Sequence, residues 1–92
     1  MLAELRTEIE AVSVELVRLL DRRFELAQAI RVEKGRLGLP LYDPAREDEL
    51  IDRLARKSLG HVPEDALRRI LRRVLDESLT AMQRADSQDL KE

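Results

Sequence analysis

Residues 2–37 read LAELRTEIEAVSVELVRLLDRRFELAQAIRVEKGRL, and the apolar spacing within this stretch decides the fold. Its apolar residues recur at steps of three and four, which places them on one face of an α-helix. They are Leu2, Leu5, Ile9, Val12, Leu16, Leu19, Leu26, Ile30 and Leu37. This heptad pattern predicts one helix over about residues 2–36, roughly 50 Å long at 1.5 Å per residue.

Glycine and proline interrupt the rest of the chain at two places, residues 35–44 and 60–63. The segments that follow these breaks, about 44–59 and 64–84, have helical rather than strand-like apolar spacing. The polar residues 85–92 lack an apolar stripe, so we expect a frayed tail. The sequence therefore predicts an all-α fold of three helices, one long and two shorter, in a single domain that takes in the whole chain.

A helix as long as the first needs apolar contacts along its entire apolar face. The second and third helices, about 24 Å and 30 Å long by the same rise, cover only parts of it. A chain of this size also buries a modest fraction of its surface by itself, which favours association. We therefore expect a homodimer in which the long helices of two copies are intertwined.

The composition excludes several classes of site. With no cysteine and one histidine, the chain has no disulfide, no cysteine-based or multi-histidine metal site and no Cys–His nucleophile pair. One Tyr, one Phe and a net charge of −2 are unsuited to binding nucleic acid. Charged residues make up 39% of the chain, so catalysis would rest on Arg, Lys, Asp, Glu, Ser and Gln. We expect neither a metal site nor a nucleic-acid partner.

The start of the chain argues against export. Residues 1–8 contain acidic groups where a signal peptide has a basic stretch and a long apolar run. The sequence also lacks the roughly 18 consecutive apolar residues of a membrane span. We expect a cytoplasmic protein without a membrane partner.

Arg23 breaks the apolar seam of the first helix. A buried arginine costs several kcal/mol unless it meets an anion, so either a carboxylate of the fold or one of a ligand is expected beside it. Lys34 lies 11 residues later, nearly on the same face and about 16 Å away. The two side chains could hold a small dianion between them. The alternative for Lys34 is a solvated cation near a helix C-terminus.

The first turn of the second helix carries both signs of charge. Asp43 before Pro44 forms a typical N-cap, and Glu47 is an ordinary partner of the helix dipole. Arg46 opposes that dipole and is the less expected residue. Arg6 lies about 25 Å from Arg23 along the first helix, so the two share a small-molecule site only if the partner chain supplies Arg6.

Other polar residues have simpler interpretations. His61, in a Gly/Pro loop, is interpreted as a turn residue. The basic pairs Arg68-Arg69 and Arg72-Arg73 of the third helix are interpreted as a solvated face.

Taken together, the motifs resemble the all-helical (type II) class of chorismate mutases over residues 2–83. The matching residues are Leu5-Arg6-x-x-Ile9, then Leu19-Leu20-x-Arg22-Arg23-x-Glu25-Leu26-Ala27, Ile30 and Lys34, then Tyr42-Asp43-Pro44-x-Arg46-Glu47, and Glu77-Ser78. Each motif alone is too short to be specific, whereas the spacing of all the motifs together is specific for this family. The resemblance implies an intertwined homodimer that rearranges chorismate to prephenate in aromatic amino acid biosynthesis, an isomerase reaction without a cofactor.

The resemblance also implies a role for each matching residue. Arg23 corresponds to an arginine that grips a substrate carboxylate, and Arg6 to an arginine contributed by the partner chain. Lys34 corresponds to a lysine that donates to the breaking ether oxygen. The remaining substrate-binding matches are Asp43 and Glu47 near the substrate hydroxyl, Arg46 at the same site, and Ser78 near a carboxylate. Of these residues, Arg23, Lys34 and Glu47 are expected to be catalytic.

One position departs from the family pattern. Four residues after the serine position the family usually has Gln or Glu, which bonds to the ether oxygen, whereas this chain has Met82 followed by Gln83. Gln83 is the substrate-binding candidate for this contact, and because one residue turns a helix by about 100°, it reaches the site only if the helix end bulges or shifts. Otherwise the ether oxygen has one donor fewer.

Three alternatives stay open at this point. One is an isochorismate pyruvate lyase, an activity found on similar helical scaffolds. Another is a non-catalytic helical dimerisation or regulatory module. The chain could also work in association with, or as a domain of, another shikimate-pathway enzyme.

Overall fold

The computed structural model describes residues 1–91, with side chains up to Gln88, and this part of the chain forms three α-helices and no strand. They are α1 (Leu2–Leu37), α2 (Pro44–Ala55) and α3 (Glu64–Lys91). None of the three helices has the length and apolar character needed to cross a membrane. The prediction of an all-α fold with one long and two shorter helices is confirmed.

The connection between α1 and α2 follows its sequence closely. Gly38 ends α1 in the left-handed conformation (φ 69°), and the N–H of Leu39 donates to the carbonyl of Lys34 at 2.8 Å. Asp43 then caps α2, because its carboxylate accepts a bond from the N–H of Arg46 at 3.2 Å. The predicted N-cap is confirmed, and α1 ends one residue beyond the predicted position.

The prediction that the second helix reaches residue 59 is wrong, because α2 ends at Ala55. Ser58 organises a loop in place of a further helical turn. Its hydroxyl donates to the carbonyl of Val62 at 2.7 Å and accepts from the N–H of Gly60 at 3.2 Å. A serine side chain that bonds to nearby backbone competes with helical hydrogen bonding, which explains the early end.

The expected frayed tail is also wrong for most of its length, because α3 continues to Lys91. Arg31 of α1 forms an ion pair with Asp86 of α3 at 2.9 Å, and the side chain of Arg31 is only 14% exposed. This contact anchors the part of α3 that lacks an apolar stripe. The expectation for Glu92 lies outside the described residues.

Helix α3 packs against both other helices. Arg72 and Arg68 of α3 pair with Asp48 and Asp52 of α2, so α3 runs antiparallel to α2. Against α1 it runs parallel, since a groove joins residues 17–24 of α1 to residues 70–77 of α3, and Arg31 then meets Asp86. The buried apolar residues come from all three helices and are Ala27, Ile51, Ala55 and Leu75.

A single chain is far from compact. Its radius of gyration is 16.4 Å, whereas a globular domain of this length has about 12 Å. It exposes 7650 Å² of surface, against roughly 5,500 Å² for a folded monomer of this mass. Large exposed apolar side chains cluster in the N-terminal half of α1. They include Leu2, Leu5, Ile9, Val12, Leu16 and Leu19.

Candidate active site

A cleft of about 320 Å³ lies where α1, α2, α3 and the loop before α2 meet. Its volume is within the range of small-molecule sites. Its charged and hydroxyl-bearing lining residues are Arg23, Lys34, Asp43, Arg46, Glu47 and Ser78. The fold thus brings together six residues that the sequence singled out in three separate segments.

Three cations line this cleft, two from α1 and one from α2. Arg23 and Lys34 are both half-buried and both face the cleft, which confirms that they share a face of α1. The ammonium of Lys34 donates to the carbonyl of Leu41 at 3.1 Å, so the loop before α2 fixes its position. Among residues 1–88, no carboxylate forms an ion pair with Arg23. Within residues 1–88, the guanidinium of Arg23 is thus left without a carboxylate partner.

Both cleft carboxylates are held by the fold. One oxygen of Asp43 accepts the capping bond from the N–H of Arg46, and Oε1 of Glu47 accepts from Nη1 of Arg72 at 3.0 Å. With three cations and two carboxylates, the cleft lining is net positive, which suits a small dianion. No cluster of three or more His, Asp or Glu side chains suited to a metal ion occurs in the described part of the chain.

Helix α3 supplies the remaining wall of the cleft. Ser78 is 3% exposed and is the only buried polar residue among those described. Met82, one turn further on, lines the cleft, while Gln83 is exposed and outside it. The helix continues without interruption through these positions, so the 100° step between neighbours keeps Gln83 away from the site. A thioether, which donates no hydrogen bond, stands where the amide was expected.

Arg6 does not reach the cleft of its own chain. It is exposed on the N-terminal half of α1, about 25 Å along the helix from Arg23. A contribution from Arg6 to this site requires a second copy of the chain.

Two arginines of α3 have contacts that differ from the predicted solvated face. Arg69 and Arg73 form ion pairs within α3 and are exposed, as expected of a solvated face. Arg68 and Arg72 instead reach across to α2, with ion pairs to Asp52 and Asp48 at 2.6 Å each. A signal was present in the sequence, because both the two acids and the two arginines are spaced four residues apart on antiparallel helices.

Known proteins resemble this chain in both sequence and fold. The family model for chorismate mutase type II matches residues 5–83. The chain belongs to the type II chorismate mutase family. Its helices superpose on the structure of chorismate mutase (Form II) from Thermus thermophilus with a TM-score of 0.86 and 35% sequence identity. That match covers 90% of this chain and 94% of the other.

Two longer relatives match this chain over part of their length. The T-protein of Enterobacter agglomerans is 40% identical over 82 residues, and the bifunctional chorismate mutase/prephenate dehydratase of Aquifex aeolicus is 35% identical over 83. These matches cover 87% and 86% of this chain but 22% and 23% of the relatives. The chain therefore spans less than a quarter of the length of either.

Proposed function

We propose that the chain is a chorismate mutase that converts chorismate to prephenate in aromatic amino acid biosynthesis. The observation that carries this proposal is the cleft itself, where Arg23, Lys34 and Arg46 converge and give the lining the positive charge that a dianion needs. Chorismate carries two carboxylates, and the rearrangement moves no atom to or from the protein. The site needs no nucleophile, and the chain's composition offers few.

The reaction breaks the ether C–O bond and forms a C–C bond within one molecule, so the electrons balance without an oxidant or a cofactor. Catalysis then consists of holding a reactive conformation and stabilising negative charge on the ether oxygen. Lys34 is the proposed donor to that oxygen. Because Leu41 takes one of its three N–H bonds, two remain for the ligand. Arg23 is proposed to grip a carboxylate.

The rest of the lining is proposed to orient the substrate. Asp43 and Glu47 are hydrogen-bond acceptors beside the three cations, which suits them to a substrate hydroxyl. Arg46 adds positive charge at the same wall, and Ser78 supplies a hydroxyl near a carboxylate. We expect Glu47 to be catalytic through its contact with the hydroxyl-bearing ring.

The proposed active unit is an intertwined homodimer. The exposed apolar residues of the N-terminal half of α1 form a seam that continues through Leu26 and Ile30, which are also exposed in one chain. Pairing two copies would bury this seam and bring Arg6 of one copy to the cleft of the other, which its 25 Å separation from Arg23 otherwise forbids. A cytoplasmic location and an association with a neighbouring pathway enzyme stay predictions.

The test is to incubate the purified chain with chorismate and, separately, with isochorismate, and to identify the products by mass spectrometry. We expect prephenate from chorismate and no pyruvate from isochorismate. Pyruvate from isochorismate without prephenate would establish the lyase instead. Absence of both products would favour the non-catalytic module.

A further inference from the structure

Arg72 lies outside the cleft, yet its guanidinium holds a carboxylate that lines it. Nη1 of Arg72 donates to Oε1 of Glu47 at 3.0 Å, and the Glu47 side chain is only 17% exposed. We propose that Arg72 is a positioning residue that holds Glu47 in place in the cleft and keeps it from competing with a bound dianion. This inference rests on the proposed function.

The geometry of the contact is that of a fork. While Nη1 binds Glu47, Nη2 binds Oδ1 of Asp48 at 2.6 Å. The two acids are consecutive residues in the first half of α2, so the planar guanidinium is fixed at two points. The ion pair engages Oε1 of Glu47, and Oε2 is the oxygen left to accept a bond from a ligand hydroxyl. A flexible glutamate thereby acquires one orientation.

The charges of the cleft explain why this orientation matters. Glu47 shares the cleft with Arg23, Lys34 and Arg46, all of which attract a carboxylate. A glutamate released from Arg72 would turn towards these cations and occupy the positions that substrate carboxylates need. Arg72 prevents that competition by holding Glu47 from outside the cleft, so it takes no space from the substrate.

Arg68 provides a matched comparison one helical turn away. It also links α3 to α2, through Asp52 at 2.6 Å, and its side chain is 38% exposed against 37% for Arg72. Asp52 does not line the cleft, whereas Glu47 does. Loss of either arginine removes a bridge between α2 and α3, but only loss of Arg72 releases a carboxylate of the cleft.

The experiment compares steady-state kinetics on chorismate for Arg72→Gln and Arg68→Gln, with thermal unfolding of both. We expect Arg72→Gln to raise KM about tenfold with a smaller change in kcat, because the released Glu47 competes in the ground state. Arg68→Gln should leave KM within about twofold of the wild-type value. It should lower Tm about as much as Arg72→Gln does. Arg72→Lys, which keeps the charge but loses the fork, should give an intermediate KM.

The decisive arm is a double-mutant cycle with Glu47→Gln. If Arg72 acts through Glu47, adding Arg72→Gln to Glu47→Gln changes KM by less than about twofold. The proposal is overturned if Arg72→Gln raises KM equally in both backgrounds, or if Arg68→Gln raises KM as much as Arg72→Gln does.

The same double-mutant cycle is repeated with binding affinity as the readout. Calorimetry measures the affinity of each variant for a bicyclic dicarboxylate that mimics the transition state. A wild-type protein that forms no prephenate overturns the proposed function, and the binding cycle still reports whether Arg72 and Glu47 are coupled. Additive losses of affinity would overturn the positioning role regardless of activity.

Discussion

The two halves of α1 share one apolar period but have different surroundings. Every side chain from residue 2 to residue 19 is exposed, whereas residues 20–37 include seven that are buried or half-buried. Helix α3 runs alongside Leu20 and Phe24 of the second half, which are half-buried, whereas Leu26 and Ile30 of the seam stay 46% and 52% exposed. The apolar seam therefore lacks a partner along both halves within one chain, and α3 covers a neighbouring face of the second half.

The half of α1 beside α3 also carries the proposed catalytic charges, so Arg23→Leu is the sharpest change there. We expect kcat/KM to fall by about 10²–10³-fold or more, as when a preorganised charge donor is lost. The dimer should persist, because leucine suits the apolar seam. Enzyme assays and sedimentation of the same sample check both points. Full activity with a tighter dimer would mean that Arg23 serves only the seam.

The exposed half of α1 is tested by charging its seam with Ile9→Glu and Val12→Glu together. These side chains are 71% and 68% exposed in one chain but buried in the proposed dimer. Burying such charges should raise the dimer dissociation constant by about 10²-fold, and activity should fall on dilution. Val32→Glu, also at an exposed position but off the seam, is the control. Equal sedimentation of the wild type, the double variant and the control would refute the assignment of the seam.

A gain of function tests the far end of the cleft, where α3 faces the second half of α1. Met82→Gln places an amide donor at a lining position and should raise kcat about tenfold, the worth of one bond to a developing charge. Gln83→Met, its exposed neighbour, should leave kcat unchanged. If the Gln83 variant slowed turnover instead, the helical register described above would be contradicted.

The smallest effect is expected at the ion pair between Asp52 of α2 and Arg68 of α3, away from α1. The hydrogen bond from Arg68 lowers the pKa of Asp52 below its ordinary 3.8. The folded state therefore gains stability above pH 3.8, and this gain is lost as the pH falls through the lowered pKa. Asp52→Asn should lower Tm at pH 7 by about 2 °C or less. The difference should vanish in strong acid, and a constant difference across pH would contradict the linkage.

The sequence predicted the fold well wherever local signals decide structure. The apolar period of α1 and the Asp43-Pro44 start of α2 are local, and both were predicted to within one residue. Near its end, α3 is joined to α1 by the ion pair between Arg31 and Asp86, which lie 55 residues apart in sequence. Such a contact becomes visible only when the packing of α1 and α3 is known.

The residues of the candidate site also differ in how far the sequence alone could predict them. Arg23 and Arg46 could be selected because their charges conflict with their positions, and Lys34 because it shares a helix face with Arg23. The fold places all three in one cleft. The contact of Arg72 with Glu47 could not be predicted, because an arginine on a highly charged helix is ordinary in sequence. Glu47 also has a sufficient local explanation as a partner of the helix dipole. Only the antiparallel packing of α2 and α3 joins the two.

Each active site is proposed to use Arg23 of one chain and Arg6 of the other, and subunit mixing tests this sharing of residues. Arg6→Gln and Arg23→Leu homodimers should each be nearly inactive. When they are unfolded together and refolded, the heterodimers contain one site with both arginines intact, so about a quarter of wild-type activity should return in an equal mixture. No recovery, with heterodimers verified by mass spectrometry, would contradict a site shared between chains.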